Sequence, residues 1–324
     1  MSDARARTDA LAARAEELGF HAFGVAAAGP PDPEQRLRRW LEAGMHGGMS
    51  WMARDVERRE DLERSVPGAK SVVAVSMSYF RPEAESEEPG ELKVARYARG
   101  RDYHGWLKKR LRKLRSRLLE LDPGCQVYPT LDTSPVLERA WAARAGIAWI
   151  GKSTMAIHPR LGTYTFLGTL VTTSELVPSE PLPDRCGSCT ACLDACPTSA
   201  FPEPRVLDAR RCISHWTLES PEAEMPRDLE LRGWVAGCDI CQEVCPWNRF
   251  ARTAEAAQTE PKEGLVRLDP LLWTKEEEDA ALSELVDRSA IARTGTAQLR
   301  RNARRALSEG RGERRGRDEP GSDA

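Results

Sequence analysis

Eight of the nine cysteines in this 324-residue chain fall between Cys186 and Cys245, and their spacing is that of thiolate ligands to two iron–sulfur clusters. The first run is Cys186-x2-Cys189-x2-Cys192-x3-Cys196-Pro197, a pattern in which the fourth cysteine binds the other cluster. The second run, Cys238-x2-Cys241-x3-Cys245-Pro246, matches the last three positions of the same pattern, with Val235 where the first cysteine should stand. Cys212 is the remaining cysteine of the region and the natural replacement. The assignment then closes, with Cys186, Cys189, Cys192 and Cys245 on one cluster and Cys196, Cys212, Cys238 and Cys241 on the other. Two four-iron clusters form a one-electron wire, so a low-potential acceptor must lie nearby.

Rival chemistries fit these residues less well. Four disulfides suit a short secreted domain, and zinc is normally met by two separated Cys-x2-Cys pairs, often with histidine. The histidines at 21, 46, 104, 158 and 215 form no metal-ligand spacing, and Cys125 reads as an inert, half-buried thiol. Gly146-Ile-Ala-Trp-Ile-Gly151-Lys152-Ser153 satisfies the phosphate-loop pattern letter for letter. A true phosphate loop follows a strand and opens a helix, whereas this one follows a helix and has an apolar, strand-like middle. Lys152 and Ser153 stay open as anion contacts. Asp102-x-His104-x-x-Leu107 approaches the D-x-H-x-x-G segment that offers histidine to cobalt, but lacks the glycine. His104 therefore reads as structural, or as a helix-start or RNA contact.

The elements that must position these residues alternate along the first half of the chain. Residues 3–19 read as a helix and His21–Ala28 as a strand. Asp32 before Pro33 reads as a helix start and Gly44 as its stop. Gly48-Met49 falls in a loop or lid, Lys70–Phe80 is a valine-rich buried strand, and the glutamate-rich segment 81–92 is a surface loop. Leu107, Leu111, Leu114, Leu118 and Leu121 recur at helical spacing and make 104–121 amphipathic. Gln126–Leu131 is a short strand, and Ser134-Pro135 opens a helix that Gly146 ends. Ala148–Ile150 and a half-buried, alternating Thr163–Thr173 are further strands. The expected plan is an α/β domain over 1–177 and, after the prolines at 178, 181 and 183, a ferredoxin-like cluster domain over 178–250. A helical region over 251–308, anchored by Leu265, Leu268, Leu271, Leu272 and Trp273, and a disordered tail over 309–324 complete it.

Composition bounds the partners. A 36 kDa chain holds two or three domains with real cores, and no apolar run approaches the roughly 20 residues that span a bilayer. Residues 1–20 are charged and carry no secretory or twin-arginine leader, so the expected location is the cytoplasm, with no membrane partner. Net charge is only −2, yet eleven basic residues stand against the single acid Asp102 between Lys93 and Arg117. Lys108, Lys109, Arg112, Lys113, Arg115 and Arg117 would populate the outer face of the amphipathic helix beside Arg96, Arg99 and Arg101. Such a face favours a polyanion such as RNA over ordinary solvation.

Taken together, several segments resemble the epoxyqueuosine reductase family. They are Arg101-Asp-Tyr-His104, Asp132-Thr-Ser-Pro-Val-Leu-Glu138-Arg139-Ala, Ala145-Gly146-Ile through Ser153, Gly162-Thr-Tyr164-Thr-Phe-Leu167-Gly, the first cysteine run, Arg211-Cys212-Ile-Ser214 and Gly237-Cys238-Asp-Ile-Cys241. The resemblance spans about residues 10–305. It implies a nitroreductase-like α/β domain that binds cobalamin, followed by the ferredoxin-like two-[4Fe-4S] domain and a short helical C-terminal region. The implied reaction reduces an epoxide on a cyclopentane ring at the wobble base of tRNA, with electrons from an external low-potential donor. By resemblance Asp132 is the catalytic acid, its pKa raised toward neutrality by burial, and Arg139 lies beneath the corrin. Arg59, Lys152, Ser153, Ala156, Leu167 and Ser214 match cobalamin contacts. Ser153 stands where asparagine is more usual, and only one element of the family's helical repeats, Ala290–Leu307, is present. The alternatives are a corrinoid reductive dehalogenase, a ferredoxin-type electron-transfer subunit and a nucleotide-binding protein.

Overall fold

The computed structural model describes residues 2–32, 34–82, 91–220 and 224–315, without the side chains of residue 2 and of 310–315. Eight strands are present among them: β1 (Ala22–Ala27), β2 (Ser71–Ser78), β3 (Lys93–Val94), β4 (Val127–Thr130), β5 (Trp149–Ile150), β6 (Ala156–Ile157), β7 (Thr165–Thr172) and β8 (Trp234–Ala236). The main sheet has the order β1-β2-β7-β4, and every pairing in it is antiparallel. Of the α+β or α/β class expected, the sheet is of the α+β kind: strands and helices alternate as expected, and no crossover is parallel within it.

Side-chain alternation along β2 sorts the interior into two cores. Val73, Val75 and Met77 enter one, covered by helices α1 (Ser2–Glu17) and, further along the chain, the helix Tyr103–Leu121. Val72 and Ala74 enter the other, with Trp141, Ala142 and Ala145. β2 is buried along its whole length, and β7 is buried from Gly168 onward because β2 and β4 flank it. The half-buried alternation expected for Thr163–Thr173 thus holds only at its start.

Short helices α2 (Arg36–Glu42), α3 (Ser50–Ala53) and α4 (Val56–Glu60) fill the connection from β1 to β2. α2 starts later than Asp32 suggests. Gln35 is its N-cap, in the left-handed region, although Asp32 Oδ2 still accepts Leu37 N–H at 2.8 Å; Pro33 lies outside the described residues, as do residues 83–90 of the expected loop. α5 (Tyr103–Leu121) buries Leu107, Leu111, Leu114 and Leu118, the periodic set. Asp102 caps it, its side chain accepting His104 N–H at 3.1 Å. Gly168 lets α5 lie close on β7, since a Cβ there would meet Leu111 Cδ1 at 2.9 Å. α6 (Glu138–Arg144) begins at Glu138 rather than at Pro135, because Leu131, Thr133 and Ser134 form a turn first. Gly146 follows it at φ +68, as a helix stop requires.

A third core joins β3 and β8, which pair in parallel, to the C-terminal region. After α7 (Ala191–Asp194), α8 (Ile240–Glu243) and α9 (Glu263–Val266), α10 (Asp279–Val286) and α11 (Thr296–Arg315) close over Trp234 and Trp273. Leu265, Leu268 and Trp273 are buried there, whereas Leu271 is exposed. Asn302, fully buried, donates to Thr217 and Val235 carbonyls at 2.9 and 2.8 Å and ties α11 to β8. Helix α11 continues past the expected end of order at Glu309, whose Oε2 accepts Leu231 N–H at 2.8 Å. Residues 316–324 lie outside the described residues. No helix among the described residues is long and apolar enough to cross a membrane.

Candidate active site

Asp132 stands just past the end of β4, in the turn that precedes α6, and meets the N-terminal turn of α5. Tyr103 Oη donates to Asp132 Oδ2, and His104 Nε2 lies 3.1 Å from Asp132 Oδ1. The other imidazole nitrogen, Nδ1, lies 2.6 Å from Asp102 Oδ1. His104 is therefore held between two carboxylates, with the Tyr103 ring stacked on it at 4.1 Å between centroids. Capping fixes this order, because Asp102 must sit at the N-cap for its side chain to reach both His104 N–H and the ring. Asp132 keeps 49% of its side-chain surface accessible, so the carboxylate can be reached from solvent.

The electrostatics reverse one expectation. Burial raises the Asp132 carboxyl, but hydrogen bonds from His104 and Tyr103 outweigh burial and hold it below the usual carboxylate range. Burial lowers His104, yet Asp132 and Asp102 lift it to about 9, so the imidazole is charged at neutral pH. Burial and the Asp132 carboxylate push the Tyr103 phenol well up. The proton that the sequence assigned to Asp132 rests on His104 and Tyr103, because two donors stabilise the carboxylate more than partial burial disfavours it.

Arg59, Glu138 and Arg139 complete the same locality. Glu138 feels Asp132, Arg139 and Arg59, and burial raises its carboxyl to about 7. Arg139 donates to Thr154 O at 2.6 Å and Thr154 Oγ1 at 3.2 Å, with Thr154 held at φ +64. Arg59 is buried, and its Nε has no hydrogen-bond partner; Glu138 Oε1 is likewise buried without one. Ser153 and Ala156 are buried on and beside the β5–β6 hairpin, which packs on α6. Leu167, half-buried on β7, packs against the α6 core.

Two other sequence-matched residues lie on the cluster side. Lys152 directs its ammonium at the Gly187 and Cys189 carbonyls, at 2.8 and 2.9 Å, and so clasps the first cysteine loop. Ser214 is half-buried at the start of a π-helical turn, His215–Glu219, two residues after Cys212. No helix opens after Ser153, so the phosphate-loop pattern lacks its structural context.

The eight thiols face one another in two adjoining groups. Cys245 neighbours Cys192, Cys186 and Cys189; Cys241 neighbours Cys212 and Cys196, and feels Cys192 more weakly, and Cys238 neighbours Cys212 and Cys241. Among the described residues no three His, Cys, Asp or Glu side chains converge on one point as a single ion needs. Separate sulfurs around a shared volume are what a polynuclear cluster takes. Burial raises most of these thiols, and iron would reverse that by stabilising the thiolates.

The basic face is narrower than the sequence suggested. Lys108, Lys109, Arg112 and Lys113 are exposed on α5. Arg115 donates to Val127 O at 3.1 Å, Arg117 pairs with Glu120 at 3.0 Å, and Arg99 is buried with its Nε on Val94 O at 2.6 Å. Arg96 turns inward to Arg81 O. Sequence reasoning also missed Tyr103 and Glu138 and undervalued His104. The available signal was Asp102-Tyr-His at a helix start, where the cap fixes side-chain direction.

Two family profiles match this chain. One, described as a 4Fe-4S double cluster binding domain, covers residues 185–248; the other, described as epoxyqueuosine reductase QueG, DUF1730, covers residues 59–133. An epoxyqueuosine reductase from Gloeobacter violaceus is 42% identical over 307 residues, covering 92% of this chain and 94% of that one. Another from Pseudomonas aeruginosa is 42% identical over 274 residues, 81% of this chain and 75% of that one. A crystal structure of epoxyqueuosine reductase with an epoxyqueuosine-modified tRNA-Tyr stem loop is similar at a TM-score of 0.82 and 30% identity, covering 93% of this chain and 81% of that chain.

Proposed function

Because this chain belongs to the epoxyqueuosine reductase family, we propose that it reduces epoxyqueuosine to queuosine at the wobble position of tRNA, with electrons passed through two [4Fe-4S] clusters to cobalamin. The observation that supports the reading is the Asp102–His104–Asp132–Tyr103 network, an accessible acid reservoir near Glu138, which also feels Arg59 and Arg139.

The residues fit a corrin. Its peripheral amides and phosphate tail are hydrogen-bond acceptors, and Arg59 has a buried N–H without a partner. Arg59, Arg139, Ser153, Ala156, Leu167 and Ser214 would hold it. Arg139 would bring a cation to it, and Lys152 would steady the first cysteine loop. Bound there, cobalamin would supply a metal centre able to take up single electrons and reduce the epoxide. The chain's own residues manage the proton. Charged His104 would pass its proton to Asp132, whose carboxyl would hand it on to the epoxide oxygen as the C–O bond opens, with Tyr103 holding that carboxyl in place. After delivery, Asp102 keeps the imidazole oriented for reprotonation from solvent.

In this reading residues 1–177 form a nitroreductase-like corrin- and substrate-binding domain, 178–250 the cluster domain, and 251–308 a helical buttress. The exposed Lys108, Lys109, Arg112 and Lys113 would track the anticodon stem-loop backbone while the modified base is extruded toward Asp132. They favour an RNA substrate over a halogenated small molecule. The enzyme would work in the cytoplasm with an external low-potential donor.

The test is anaerobic turnover. Protein loaded with about eight irons and cobalamin, given dithionite and an epoxyqueuosine-modified stem loop, should yield queuosine lacking one oxygen by mass. Fully loaded protein that leaves the epoxide intact would overturn the proposal.

A further inference from the structure

We propose that the face around Cys189 receives a small acidic electron-carrier protein, with Val244, Phe250 and Arg249 as its contact. The inference rests on the reductase reading and identifies where its electrons arrive.

Cys189 is the only exposed cysteine of the nine, and loop 187–190 around it is exposed throughout. Electron transfer weakens steeply with distance, so a carrier must touch the face where a cluster ligand reaches the surface. Lys152 clamps this loop through two backbone carbonyls, so the ligand is presented on a fixed support. Large apolar side chains are exposed on the same side. Val244 at 38% and Phe250 at 47% flank Cys245, whose sulfur neighbours Cys189.

The patch is prebuilt rather than loose. Trp247 packs edge-on to the buried Trp149 at 4.9 Å and supports the Phe250 ring at 5.9 Å. Asn248 fixes the turn by accepting Thr163 N–H at 2.7 Å and donating to Gln242 O at 2.6 Å. An apolar centre with a charged rim is the make-up of small, transient redox interfaces.

The rim charge selects the partner. Arg249 lies over the Phe250 ring at 4.6 Å, and Arg185 and Arg160 are exposed beside the first cysteine and beside the Gly162–Asn248 contact. Among the described residues none of these three arginines has a carboxylate partner, whereas Asp184 is taken by Arg205 and Asp194 by Thr190. Glu243 is exposed beside Val244. An acidic carrier with an apolar centre complements this surface.

Each docking moves one electron. The carrier's reduced flavin or iron–sulfur centre is oxidised, and the cluster ligated by Cys186, Cys189, Cys192 and Cys245 is reduced. Two deliveries, with two protons, convert one epoxide into an alkene and water.

The experiment uses holoenzyme and stopped-flow bleaching of the cluster absorbance, with reduced flavodoxin and reduced ferredoxin as separate probes. Phe250→Glu and Arg249→Glu should each slow bleaching by at least one carrier about ten-fold, and Arg249→Glu should flatten its salt dependence. Bleaching by dithionite, and dithionite-driven epoxide reduction, should match wild type; that arm tests the reductase reading separately. Wild-type rates in both variants, or no reduction of native enzyme by either carrier, would overturn the proposal. So would variants that lose stem-loop binding while carrier reduction stays intact, which would make this an RNA face.

Discussion

Replacing Asp132 by Asn tests the proton reservoir directly, because it removes one of the two carboxylates that hold the His104 proton. His104 is lifted from 6.5 to about 9 against the opposing effect of burial. That shift corresponds to roughly 3 kcal/mol favouring the imidazolium. Asp102 remains at 2.6 Å from Nδ1 in the variant, so about half of the effect should survive and the midpoint should fall by roughly 1–2 units. The sign follows from the raised pKa: charged His104 stabilises the fold fully below 6.5, and this is lost as pH rises through about 9. Imidazole NMR titration of the native protein should show a basic midpoint, and dithionite-driven turnover should decline along the same limb. In Asp132→Asn the midpoint should drop toward neutrality while both clusters and cobalamin are retained and epoxide reduction is lost. A native His104 that titrates near its ordinary value, or a variant whose midpoint does not move, would refute the reasoning.

Tyr103→Phe removes the donor to Asp132 and should cost about 10- to 100-fold in kcat with stem-loop affinity unchanged; steady-state kinetics and a binding titration separate the two. Cys212→Ala should leave about four irons per chain rather than about eight, whereas Cys125→Ala should leave the full complement, by iron assay. Reversing Lys108, Lys109, Arg112 and Lys113 to Glu should weaken stem-loop binding and flatten its salt dependence, read from affinities across a salt series. Trp273→Ala, at a fully buried position of the C-terminal core, should destabilise the protein by about 3–5 kcal/mol in chemical unfolding.

The double-cluster region is the most legible part of the sequence, because thiolates at fixed short intervals have few other uses. The helix at 103–121 was equally clear, since four leucines at helical spacing must share one buried face. Strand direction was not legible. Valine-rich runs such as Val72–Val75 look alike in parallel and antiparallel sheets when both faces are covered. β3 and β8 were missed because two- and three-residue strands leave no periodicity to detect. The state of Asp132 was misjudged for a different reason: its pKa depends on Tyr103 and His104, about thirty residues away in sequence, and spacing says nothing about such partners. Arg99 was misplaced on the basic face because a charge count cannot distinguish a solvated guanidinium from one folded onto a backbone carbonyl.

The short parallel pairing of β3 with β8 has a consequence for how the active site is assembled. From Val94 to Asp102 the backbone is stitched to the later part of the chain: Arg96 N–H reaches Asp239 at 2.7 Å, Arg101 N–H reaches Gln258 O at 2.9 Å, and Asp102 N–H reaches Arg288 O at 2.6 Å. Tyr103 and His104 are thereby tied, through the backbone that precedes them, to the later part of the chain, while the Tyr103 ring also stacks on Phe166 of β7 at 4.3 Å and Asp132 hangs from the end of β4. Imidazole and carboxylate meet where early and late chain join, with Asp239 between Cys238 and Cys241 beside that junction. The acid network is thus anchored by segments that lie before and after the cysteine runs in sequence, and its geometry belongs to the whole chain rather than to its front half.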